Sequence, residues 1–115
     1  MKNLQSAIRT PQSSLTPLDY AYQILTRRAH SEQELAHKLR TKGFPDEVVA
    51  RTVARLKEQR YLNDRDLADD QAARLQNRGF GREGIRAKLI QKGLADVTIE
   101  QTLEKQSGEA EMDSA

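Results

Sequence analysis

The chain repeats itself at a spacing of fifty residues. Gly43 in Leu39-Arg40-Thr41-Lys42-Gly43-Phe44 is matched by Gly93 in Leu89-Ile90-Gln91-Lys92-Gly93-Leu94. The same shift pairs Asp19 with Asp69, Leu25 with Leu75, Arg28 with Arg78, Lys38 with Lys88 and Thr52 with Thr102. Apolar positions match in kind: Leu35 with Ile85, Phe44 with Leu94, Val49 with Ile99, Val53 with Leu103. A fixed period of this length is one supersecondary unit used twice, which favours an array over an enzyme pocket. Each unit presents the same surface at a regular interval, a geometry suited to a long, regular partner.

Each unit reads as three helices. Thr16-Pro17 places a hydroxyl cap and a first-turn proline before Asp19, and a first helix is predicted to about Ala29, with Leu18, Ala21, Tyr22, Leu25 and Ala29 on one face. Ser31-Glu32-Gln33-Glu34 has the spacing of a capping box, so a second helix opens there, buries Leu35 and Leu39, and ends at Gly43. A third starts near Pro45, carries Val49, Val53 and Leu56 inward, and ends near Arg60. Asn63-Asp64 caps a fourth helix with Leu67, Ala68, Ala72 and Leu75. The turn Gly79-Phe80-Gly81 leads to a fifth with Ile85 and Leu89. A sixth starts near Asp96, is expected to bury Val97, Ile99 and Leu103, and fades after Lys105. No segment alternates with period two. The expected fold is all-α: two three-helix repeats in an elongated, curved array, over residues 17–60 and 61–105, with a flexible arm at 1–16 and a disordered acidic tail at 106–115.

Composition supports a thin core under a charged surface, with 37% hydrophobic and 31% charged residues. The absence of cysteine excludes disulfides and thiol-based sites. No long apolar run or secretory segment is present, which points to a cytoplasmic protein without a membrane partner. The net charge of +2 hides an uneven distribution: residues 18–105 carry +3, and residues 106–115 carry Glu109, Glu111 and Asp113 with no base. A mildly basic folded part leans towards an anionic partner.

The basic residues recur with the repeat. Arg82, Arg86, Lys88 and Lys92 flank the apolar stripe of the fifth helix, with Arg78 just before it. Arg28, Lys38 and Lys42 take the equivalent places in the first unit, with Arg40 nearby. A solvated helix face explains any one of them. The recurrence favours binding for the set.

Other groups carry less. Asp64, Asp66, Asp69 and Asp70 lack the spacing of a calcium loop and suit a helix start, where they interact with the macrodipole. His30 and His37, without cysteine or a well-placed carboxylate, read as surface histidines. Gly79-Phe80-Gly81 follows no strand and lacks the Lys-Ser/Thr ending of a phosphate loop, so Phe80 reads as a staple of its turn to the core. No nucleophile with a His–Asp companion is visible. The sequence therefore points to no catalytic set, metal site, cofactor or small-molecule substrate.

Together these segments resemble a known family. Arg28-Ala29-His30-Ser31-Glu32-Gln33-Glu34-Leu35, with Lys38-Leu39 and Lys42-Gly43, is similar to the first repeat of the RecX regulatory proteins. Tyr61-Leu62-Asn63-Asp64 with Leu67-Ala68 resembles the link into their second repeat. Gly79-Phe80-Gly81, Ile85-Arg86, Leu89 and Lys92-Gly93-Leu94 resemble that repeat's middle helix. The likeness covers about Leu18 to Lys105. It implies a non-enzymatic regulator that binds the RecA recombinase or its filament on single-stranded DNA and inhibits recombination and the SOS response. Several RecX proteins also bind single-stranded or double-stranded DNA. The alternative reading of the same bases is a sequence-nonspecific nucleic-acid-binding helical module. RecX proteins usually have three such units; two are legible here, and Gln106 onward is not expected to form a third.

Overall fold

The computed structural model describes residues 15–114, with side chains to Ser107. The described residues form six helices: α1 (Pro17–Arg27), α2 (Glu32–Lys42), α3 (Asp46–Glu58), α4 (Asp64–Asn77), α5 (Arg82–Gln91) and α6 (Asp96–Ser114). No strand occurs among them. The expectation of an arm over residues 1–16 falls almost wholly outside the described residues. Thr16 itself caps α1, its Oγ accepting from the Asp19 amide at 3.0 Å.

Local chemistry sets the helix starts. Ser31 Oγ accepts from the Glu34 amide while the Ser31 amide donates to Glu34 Oε1, both at 3.0 Å, so the capping box is closed. Asn63 Oδ1 accepts from the Asp66 amide at the head of α4. The α5 cap, Gly81, has no side chain to offer. At its far end α1 stops at Arg27 and Arg28 is already extended, with φ at −167°, so the helix is shorter than its periodicity predicts.

Four helix ends close with the same bond from an apolar residue back to the residue five before it. Phe44 donates to Leu39 O, Tyr61 to Leu56 O, Phe80 to Leu75 O and Leu94 to Leu89 O. This bond requires a left-handed residue in between. Gly43, Gly79 and Gly93 supply it in three cases, and Arg60, at φ 66°, in the fourth.

The apolar stripes bury two separate cores. Ala21, Ile24, Leu35, Leu39, Val49, Leu56 and Leu62 form the first. Leu67, Ala68, Ala72, Leu75, Ile85, Leu89, Leu94, Ile99 and Leu103 form the second, with Phe80 against it as expected. Helix packing follows the same division: α1 to α3 pack on one another, and so do α4 to α6. The result is an elongated pair of three-helix repeats, 71 Å by 25 Å by 22 Å.

Two expectations about α6 need correction. Val97 is 63% exposed, because the inward positions of the helix are taken by Ile99, Thr102 and Leu103. The helix also continues to Ser114, past Lys105, so the backbone of the tail expected to be disordered is helical to that point. Gln106, Glu109, Ala110, Glu111 and Met112 are good helix formers, and extending a helix nucleated by tertiary packing costs little.

Candidate functional site

An aromatic ring recurs at the entrance to the middle helix of each repeat, two residues after an Arg and eight residues before a Lys. In the second repeat the ring is Phe80, with the Arg78 guanidinium 5.6 Å and the Lys88 ammonium 5.9 Å from its centroid. Such contacts stabilise exposed cations by about 0.5–1 kcal/mol and, more usefully, restrict where they point. Fifty residues earlier the ring is His30. Its Nδ1 lies 3.0 Å from the Arg28 carbonyl oxygen and its Nε2 lies 2.9 Å from Lys38 Nζ. A carbonyl can only accept and an ammonium can only donate, so these partners fit a neutral ring with its proton on Nδ1.

His30 is thus no surface histidine: it is 3% exposed. Burial holds its pKa below the ordinary histidine value against the opposing pull of the Arg28 carbonyl, and the Arg28 and Lys38 charges add to the lowering. The repeat register held the signal, since position 30 pairs with the aromatic Phe80.

Glu34, the partner of Ser31 in the capping box, gathers bases from both repeats. Its carboxylate lies 3.7 Å from Arg28 Nη1 and 3.9 Å from Lys92 Nζ. It also lines a cleft of about 350 Å³ with Gln71, Arg78, Lys88, Gln91 and Lys92. The structure therefore lines one cleft with Arg78, Lys88 and Lys92 and sets Arg28 beside it through Glu34, while Lys38 is held by the His30 ring. One acid among these cations leaves a local excess of positive charge at the junction of the repeats. Charge counting along single helices missed Glu34, because its role is to bridge between repeats.

The remaining expected residues do not line this cleft. Arg82 donates to Ser107 Oγ at 2.9 Å and to the Leu103 carbonyl, and its Nη2 lies 4.0 Å from Glu100. Arg86 pairs with Glu83 at 3.2 Å and with Glu100. Both arginines fasten α5 to α6 with their charges largely matched, a consequence of Glu100 facing them from a helix fourteen residues on. Arg40 pairs with Asp46 at 3.0 Å, and Lys42 lies 5.1 Å over the Tyr20 ring.

Three acidic residues of α4, Asp64, Asp69 and Asp70, have structural partners. Asp64 Oδ1 accepts from the Glu32 amide at 2.9 Å, a cap on α2 supplied by the other repeat, and burial raises its pKa despite that bond. Burial would raise Asp69 as well, but hydrogen bonds from Lys105 and Thr102 prevail and its pKa is lowered. Asp70 pairs with Arg74. Among the described residues no three His, Cys, Asp or Glu side chains gather in a way that would hold a metal ion.

Comparison with known proteins follows the same division into repeats. The family model for the RecX first three-helix domain matches residues 18–56, and that for the RecX second three-helix domain matches residues 63–103. A "Regulatory protein RecX" of Chlorobaculum tepidum is 42% identical over 87 residues, 75% of this chain and 54% of the relative. One of Vibrio cholerae is 42% identical over 72 residues, 63% of this chain and 47% of the relative. One of Stenotrophomonas maltophilia is 33% identical over 94 residues, covering 82% and 58%. The chain thus spans about half the length of the curated relatives it matches. With both three-helix repeats matched in order, the chain belongs to the RecX family of regulatory proteins.

Proposed function

We propose that this chain is a cytoplasmic, non-enzymatic regulator that binds the RecA recombinase, or its filament on single-stranded DNA, and inhibits its recombinase and SOS-related activities. The observation that carries this reading is the basic cleft between the repeats, where Arg78, Lys88 and Lys92 face Glu34, together with the recurrence of Arg28 and Lys38 fifty residues before Arg78 and Lys88. Two equivalent basic stations on an elongated body match a partner that itself repeats. Linked contacts of this kind raise overall affinity through effective concentration. Arg28, Lys38, Arg78, Lys88 and Lys92 are the contact residues on this account. Arg40, Lys42, Arg82 and Arg86 hold the scaffold. Inhibition would be physical: a helical body lying along a filament hinders its extension and the access of a second strand. No helix among the described residues is long and apolar enough to cross a membrane.

A strand-exchange assay tests the proposal. Saturating protein is expected to suppress exchange by preassembled recombinase filaments, and undiminished exchange would remove inhibition from the account. The unmatched charge in the cleft also favours a second reading, in which nucleic acid alone is the target. In that case affinity for free single-stranded DNA falls steeply with salt, by about 0.7 log units per log unit of salt for each phosphate contacted. Weak free-DNA binding together with strong inhibition selects the first reading.

A further inference from the structure

The two repeats touch through polar groups and have no shared core. Every substantial helix packing lies within one repeat, and the two apolar clusters are separate. What crosses the junction is a short set of directed contacts. The buried Ser31 hydroxyl donates to the Lys92 carbonyl oxygen at 2.6 Å, joining the start of α2 to the end of α5. Beside it, Asp64 caps the Glu32 amide.

This junction has an open space on each side. One is the basic cleft, to which α2 contributes Glu34. The other is a groove of about 650 Å³, to which α2 contributes Glu32, Gln33, Ala36 and Arg40 and the second repeat contributes Gly93 and Leu94. At 100° per residue, Glu34 points away from the other four, so the two spaces flank opposite sides of the same helix. Rotation about the Ser31–Lys92 contact narrows one space as it widens the other. On the cleft side the closing contact is electrostatic, with Glu34 between Arg28 of its own repeat and Lys92 of the other.

We infer that the junction is a two-sided hinge, with Ser31–Lys92 as its pivot and Glu34 as a catch that an anionic group entering the basic cleft releases. A phosphate or carboxylate that engages Arg28 and Lys92 takes them from Glu34, and the angle between the repeats changes as the cleft fills. Binding in the cleft is thereby coupled to the curvature of the array. Packed cores resist continuous deformation, so motion concentrates where packing is absent. The inference concerns how the cleft works and does not depend on which macromolecule supplies the anion.

The chain contains no cysteine, so thiol labels can be placed at will. Spin labels at Arg55→Cys on α3 and Glu104→Cys on α6, both exposed, report the distance between repeats by pulsed electron paramagnetic resonance. Labels at Gln23→Cys and Arg55→Cys report within one repeat as a control. Glu34→Gln keeps the capping box, since glutamine serves equally there, and removes the charge. It is expected to shift the inter-repeat distance by more than the control varies. Inorganic pyrophosphate, added to the wild-type sequence at constant ionic strength, is expected to shift it in the same direction. A distance identical in wild type and Glu34→Gln overturns the hinge. A wild-type distance indifferent to pyrophosphate overturns its coupling to the cleft. Neither outcome bears on recombinase inhibition, which strand exchange reads separately.

Discussion

The Ser31 hydroxyl makes two bonds at once: it accepts from the Glu34 amide and donates to the Lys92 carbonyl oxygen sixty-one residues away. One fully buried oxygen therefore both starts a helix and joins the repeats. Ser31→Ala removes both bonds and leaves a carbonyl without its partner. It is expected to cost about 2 kcal/mol, the upper end for a helix cap. Asn63→Ala, which loses only a local cap, is expected to cost about 1 kcal/mol. Urea unfolding of the two variants checks the order, and equal losses would show that the inter-repeat bond contributes nothing.

Gly43 and Gly93 occupy equivalent left-handed positions in different surroundings. A Cβ on Gly43 meets open space, whereas one on Gly93 runs into the Gln33 side chain of the other repeat. Gly43→Ala is therefore expected to cost only the backbone penalty, about 1 kcal/mol. Gly93→Ala is expected to cost more and to disturb the junction. Thermal unfolding that ranks Gly43→Ala as the worse variant would contradict this packing.

Among the described residues, Arg60 holds the one left-handed helix end without glycine, at the link between the repeats. Arg60→Gly is expected to stabilise the protein by about 0.5–1 kcal/mol, since glycine carries no Cβ penalty there. A rise in melting temperature is the readout.

His30 makes stability depend on pH. Its folded pKa lies below the unfolded value of 6.5, so the unfolded chain binds the extra proton first. The contribution of the neutral ring is intact above that value and is lost as pH falls below it. Protonation would set an imidazolium against the Lys38 ammonium 2.9 Å away. Denaturant midpoints are expected to fall between pH 7.5 and 5, and the fall should be smaller in His30→Gln. An equal fall in both proteins would remove His30 as its source.

The architecture was legible because the repeat, the capping residues and the apolar stripes agree, and the caps and stripes depend only on neighbours within about four positions. The Ser31 cap, Gly43, Asn63 and the Leu67-Ala68-Ala72-Leu75 stripe act locally, so spacing alone located them, whereas the Ser31 bond to Lys92 had no local signal. The site was legible only in part. Arg82 and Arg86 look free along α5, yet Glu100 matches them from another helix. His30 looks polar and therefore exposed, yet the register gives it the place of Phe80. Glu34 looks like a cap and nothing more, because its link to Lys92 exists only after two separately folded repeats meet. Val97 fits the apolar pattern of α6, but the helix is covered on one side only.

The most direct test of the central claim is co-sedimentation with RecA filaments on single-stranded DNA, comparing wild type with Arg78→Glu/Lys88→Glu and with a charge-matched control, Arg51→Glu/Arg55→Glu on exposed α3 positions. The wild type and the control are expected to pellet with filaments. The Arg78/Lys88 variant is expected to bind at least about tenfold more weakly, on the order of 1.4 kcal/mol. Wild-type protein that stays in the supernatant, or an Arg78/Lys88 variant that pellets as well as the control, would contradict the account.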